Sequence, residues 1–143
     1  MHPRWLQNGA PEPFLMPLRE IGLRVLEFHL DPTGCDWEEM APLVDACRAL
    51  GFRASFHAPH KEPYNPAGFS SGDRPRIERL FEPALARAAR LAEREGLTIL
   101  VVHGAKGTGS REALRRDTEA FLAWIRERAP TLQPALELRV REP

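Results

Sequence analysis

Residues of metal-ligand type stand at the ends of short apolar segments throughout the chain. Glu27 and His29 lie in RVLEFHL, His57 in RASFHAP, His103 in TILVVHG and Glu137 in ALELRV. Imidazole and carboxylate groups suit Zn²⁺, Mn²⁺, Fe²⁺, Co²⁺ or Mg²⁺. A centre that keeps one coordination position open can polarise a substrate or activate water. No local ligand motif such as HExxH occurs. A lone histidine at a strand end is an ordinary structural residue, so the inference rests on several segments sharing the same habit.

Other candidates carry less. His60 and Lys61, just past HAP, could meet an anionic substrate, or simply belong to an exposed loop. The glycines of HGAKGTGS precede a helix start, where free N–H groups favour anions. Their spacing fits neither the dinucleotide GxGxxG nor the phosphate-loop GxxxxGK[ST], so no nucleotide cofactor is expected. Ser70, Ser71 and Ser110 lack the setting of a nucleophilic serine. Cys35 and Cys47 are too few for a disulfide framework.

Elements that could position such residues follow from the pattern. Four apolar segments alternate with amphipathic helices, which predicts a parallel α/β sheet. In the first, Val25, Glu27 and His29 share one face, while Leu26, Phe28 and Leu30 share the other. A helix in PFLMPLREIG precedes it and ends at Gly22; residues 1–16 are otherwise read as an irregular N-terminal segment. Asp36 is the expected N-cap of a helix that stops at Gly51 and buries Met40, Leu43, Val44, Cys47 and Leu50. After a strand over Arg53 to Ala58, a polar loop from His60 to Asp73 leads into a helix from about Arg74 to Glu95. Pro83 should kink or restart that helix. TILVVHG reads as a strand covered on both sides, Ser110 as the next N-cap, and ALELRV as the last strand. Leu136, Leu138 and Val140 share one face of that strand, with Glu137 and Arg139 on the other.

At 143 residues the chain suits a single domain. Its 20 basic and 20 acidic residues cancel, which removes the electrostatic reason to expect nucleic acid. No apolar run approaches the roughly 20 residues of a membrane span, and the N-terminus has no signal-like apolar core. A cytoplasmic protein is expected.

The order LEFH, SFHAPH with a polar loop, ILVVHGAKG and ALELR resembles the xylose-isomerase-like TIM barrel superfamily, which includes sugar phosphate isomerases and epimerases and relatives of endonuclease IV. The resemblance spans about Pro17 to Val140 and is strongest at HAPH and VVHGA. It implies a partial (β/α)8 barrel of about four parallel strands, similar to strands two to five, with flanking helices. A complete barrel takes roughly 250 residues. It further implies a divalent metal held by His57, His103 and Glu137, with Glu137 also an acid/base partner. Glu27 stands as a second catalytic carboxylate, and His29, His60 and Lys61 as substrate contacts. His60 stands where the family often has tyrosine, and the asparagine that commonly follows the strand-five glutamate is lacking. The aspartate, histidine and glutamate of later strands are absent too.

Three functions follow from these readings. The first is a metal-dependent isomerase or epimerase of a small carbohydrate-like substrate, with the rest of the barrel missing or supplied separately. The second is an endonuclease IV-like phosphodiesterase. The third is a non-catalytic half-barrel that binds partners or forms homo-oligomers, because an open sheet face and edges need a cover.

Overall fold

The computed structural model describes residues 12–30, 37–93 and 96–137. Its elements are α1 (Glu12–Glu20), β1 (Val25–His29), α2 (Trp37–Ala49), β2 (Arg53–His57), α3 (Arg74–Ala92), β3 (Thr98–His103), α4 (Arg111–Arg128) and β4 (Leu132–Glu137). The strands form one all-parallel sheet in the order β1-β2-β3-β4. The expected α/β class and parallel sheet are present.

Chain order and spatial order coincide, so each crossover steps the same way along the sheet. Crossovers of one hand then place their helices on one side. Burial agrees with this. Leu26, Phe28, Ala54, Phe56, Leu100, Val102 and Leu132 form one buried face, and α2 packs on β2 while α3 and α4 pack on β4. Phe69, Phe81, Phe121 and Trp124 close the helical layer with edge and tilted ring contacts 4.7 to 5.6 Å between centroids. The opposite face carries Val25, Glu27 and His29 of β1, Ser55 and His57 of β2, Ile99, Val101 and His103 of β3, and Ala135 and Glu137 of β4. Val25 is 50 % and Ile99 48 % exposed, so β3 is covered on one side rather than on both.

Several boundaries move for identifiable reasons. Helix α1 begins at Glu12, so residues 12–16 are helical rather than irregular. Gly22 and Gly51 take φ of 94° and 81° after α1 and α2, the left-handed stop that favours glycine. Helix α3 runs through Pro83 without a break as far as Ala92, and Glu95 lies outside the described residues. Ser110 accepts from the Ala113 amide at 3.2 Å and caps α4.

Strand β4 starts at Leu132, earlier than ALELRV suggested, and includes Pro134. The Thr98 amide donates to the Thr131 carbonyl at 2.9 Å, which points the backbone groups of Thr131 and Gln133 toward β3. Pro134 therefore faces the free edge, where its missing N–H costs the sheet nothing. Asp36, Leu138, Arg139 and Val140 lie outside the described residues.

Candidate metal centre

The register of the sheet brings the polar strand ends into one row. His29 pairs with His57 across β1 and β2, and His103 pairs with Glu137 across β3 and β4. All four project from the open face at the carboxyl ends of the strands, where loops converge in parallel α/β folds.

Three of their side-chain atoms meet. The Glu137 Oε2 lies 2.8 Å from His103 Nε2 and 3.1 Å from His57 Nε2, and the two Nε2 atoms are 3.3 Å apart. His60, from the loop after β2, stacks on His103 at 4.5 Å between centroids and meets His57 edge-on at 4.9 Å. Ligand atoms of His57, His60 and His103 all lie within 4.8 Å of one another. His29 stacks on His57 at 4.7 Å, and its Nε2 is 3.4 Å from Glu27 Oε1. Four of the chain's five histidines thus gather at one spot, which scattered structural histidines would not do.

Donor accounting shows what this spot is prepared to hold. His57 Nδ1 is 2.8 Å from the Ala58 carbonyl, which can only accept, so Nδ1 carries the proton. In neutral His57 the Nε2 lone pair then faces a carboxylate oxygen. A backbone partner that fixes one ring nitrogen while the other points at an acid is the outer support typical of metal-binding histidines. The tetrahedral edge for bonds of 2.0–2.1 Å is about 3.3–3.4 Å, against the 3.3 Å between the two Nε2 atoms. The residues fit a small divalent ion.

His103 is buried and its pKa is lowered to about 4, chiefly by desolvation and then by the Lys106 ammonium, with Glu137 opposing. It is neutral at pH 7, the state a ligand needs. Burial, with His57 next, also lowers His29.

The sequence reading named His57, His103 and Glu137 as ligands, and the fold brings those three together. Glu27 and His29 form a pair beside them. Lys61 is exposed, and His60 sits among the ligand atoms rather than apart from them. The chain's other lysine, Lys106 of HGAKG, is not among the expected site residues, yet its Nζ is 3.1 Å from His103 Nδ1.

Two further residues order the rim. Asn65 Nδ2 donates to the Lys106 carbonyl at 2.9 Å and its Oδ1 accepts from the Lys106 amide at 3.1 Å, tying the loop after β2 to the loop after β3. Asp117, buried on α4, accepts from the Gly68 amide at 2.7 Å, the Ser70 amide at 2.9 Å and the Ser70 hydroxyl at 2.5 Å. A single polar residue on an apolar helical stripe was the one available signal for Asp117. Asn65 had none, because its partners come from a different loop.

No family model matches the chain, and no curated protein matches it. No helix among the described residues is long and apolar enough to cross a membrane.

Proposed function

We propose that this chain is the metal-binding part of a (β/α)8-type barrel and acts as a metal-dependent isomerase or epimerase on a small, sugar-like carbonyl substrate. The convergence of His57, His103 and Glu137 within 3.3 Å carries the reading. The barrel part is supported by consecutive parallel strand order, helices on one face, and polar residues at the carboxyl ends on the other.

His57, His103 and Glu137 would hold the ion through Nε2, Nε2 and Oε2, with His60 within reach as a fourth ligand. Bound there, a divalent ion supplies Lewis acidity that polarises a substrate carbonyl. Glu27, on the same sheet face, takes the proton from the carbon next to that carbonyl. Delivery of a solvent proton to the opposite side of the same carbon gives the epimer, and return of the abstracted proton from Glu27 to the neighbouring carbonyl carbon, with the hydroxyl proton moved to the carbonyl oxygen, gives the isomer. His29, stacked on His57, and His60, edge-on to it, form one wall of the site.

The test is solvent exchange. The metal-loaded chain is incubated in D₂O with a panel of aldoses, ketoses and their phosphates, and deuterium next to the carbonyl is read by NMR. Incorporation that falls at least tenfold in Glu27→Gln supports the reading; none with any substrate rejects it.

Two observations bear on the alternatives. Equal numbers of acidic and basic residues disfavour the endonuclease IV-like phosphodiesterase, which must bind a polyanion. Exposed Val25 and Ile99 on the open face favour, as a second reading, a half-barrel that associates with another copy. A sedimentation mass equal to one chain would remove that reading.

A further inference from the structure

Lys106 poses a problem that the metal centre alone does not solve. Its ammonium lies against His103 Nδ1, and no carboxylate among the described residues pairs with it, although the chain has 20 acidic residues. Its position is fixed by design of the loop: both its amide and its carbonyl are bonded by the Asn65 side chain. A positive charge held beside a cation site opposes the cation. Such a placement is useful when a negative group lies between the two.

Donor accounting leads to the same point. An ammonium only donates, so it makes His103 Nδ1 an acceptor and leaves the neutral ring's proton on Nε2, toward Glu137. An ion bound at Nε2 needs that proton on Nδ1 instead, and Lys106 must then turn away from the ring. The Asn65 clamp keeps its backbone at the rim, where the freed ammonium has three donors and no carboxylate partner among the described residues.

We propose that Lys106 anchors an anionic oxygen ligand, a phosphate or carboxylate group, that also reaches the ion held by His57, His103 and Glu137. This rests on the metal reading above and narrows its substrate class to anionic compounds. Lys106 is the charged contact and Asn65 its positioning residue. Metal and anion are then coupled, each tightening the other.

Co²⁺ binding to the whole chain, followed by visible absorption, tests this with inorganic phosphate or acetate as the probe anion. The expected result for the unaltered chain is Co²⁺ binding that tightens about fivefold or more with an anion present. Tightening by phosphate alone assigns a phosphoryl ligand, and tightening by acetate as well assigns oxyanions generally. Lys106→Met should bind Co²⁺ at least as tightly without anion and lose the tightening; Asn65→Ala should retain only part of it. Co²⁺ binding with no tightening by either anion, or equal tightening in Lys106→Met, overturns the proposal while the metal reading stands. Absence of Co²⁺ binding overturns both.

Discussion

His57 and Glu137 are 80 positions apart in sequence, yet the imidazole Nε2 of one lies 3.1 Å from the carboxylate Oε2 of the other. Strand β3 stands between their strands and carries His103, whose Nε2 lies 2.8 Å from the same oxygen. His57 Nδ1–H is spent on a backbone carbonyl, so this pair has no proton to share unless one residue takes up an extra one. A divalent ion relieves the same conflict, and the consequences can be measured.

Metal-free protein should lose stability in mild acid on account of His103. Its pKa is about 4 in the folded chain against 6.5 in the unfolded one. Between those values the unfolded state binds more protons, so stability rises with pH. The contribution is complete above pH 6.5, shrinks as pH falls toward 4 and is absent below that. It is on the order of 3 kcal/mol at most. Urea midpoints in EDTA from pH 7 to 4 should fall more steeply for the unaltered chain than for His103→Gln.

Asp117→Asn should weaken the loop that leads from the site to α3. Burial alone would raise the Asp117 pKa, but hydrogen bonds from the Ser70 hydroxyl and the Gly68 and Ser70 amides outweigh it and hold the carboxyl low. Asparagine offers one acceptor oxygen where the carboxylate offers two, and turns an NH₂ toward a donor. A loss of roughly 2–3 kcal/mol is expected by chemical denaturation. A loss below 0.5 kcal/mol would show that the cradle is not needed.

The helical layer makes a different demand. Phe121 is fully buried and meets the rings of Phe69, Phe81 and Trp124. Phe121→Ala should cost about 3–5 kcal/mol, read as a lower urea midpoint with an unchanged slope.

Much of this architecture was legible in the sequence because it depends on periodicity. Leu26 and Phe28 alternate with Glu27 and His29, and that alternation alone assigns the faces of β1. The glycines at 22 and 51 mark helix ends by a backbone requirement that other residues meet poorly. The start of β4 was missed because Pro134 argues against a strand wherever both neighbours are present, and only the sheet order shows that it lies on an edge. TILVVH reads the same whether one face is covered or two, so the open face of β3 was not visible. The ligands could be named singly, but the place of His60 among them and the Asn65 clamp on Lys106 depend on how two loops fold over the rim.

Zinc titration of the EDTA-stripped chain tests the centre most directly. We expect one tightly bound Zn²⁺ per chain, with affinity lowered tenfold or more in His57→Ala and in Glu137→Gln. Zinc that fails to bind the folded chain, or that binds both variants as it binds the parent, would contradict the account.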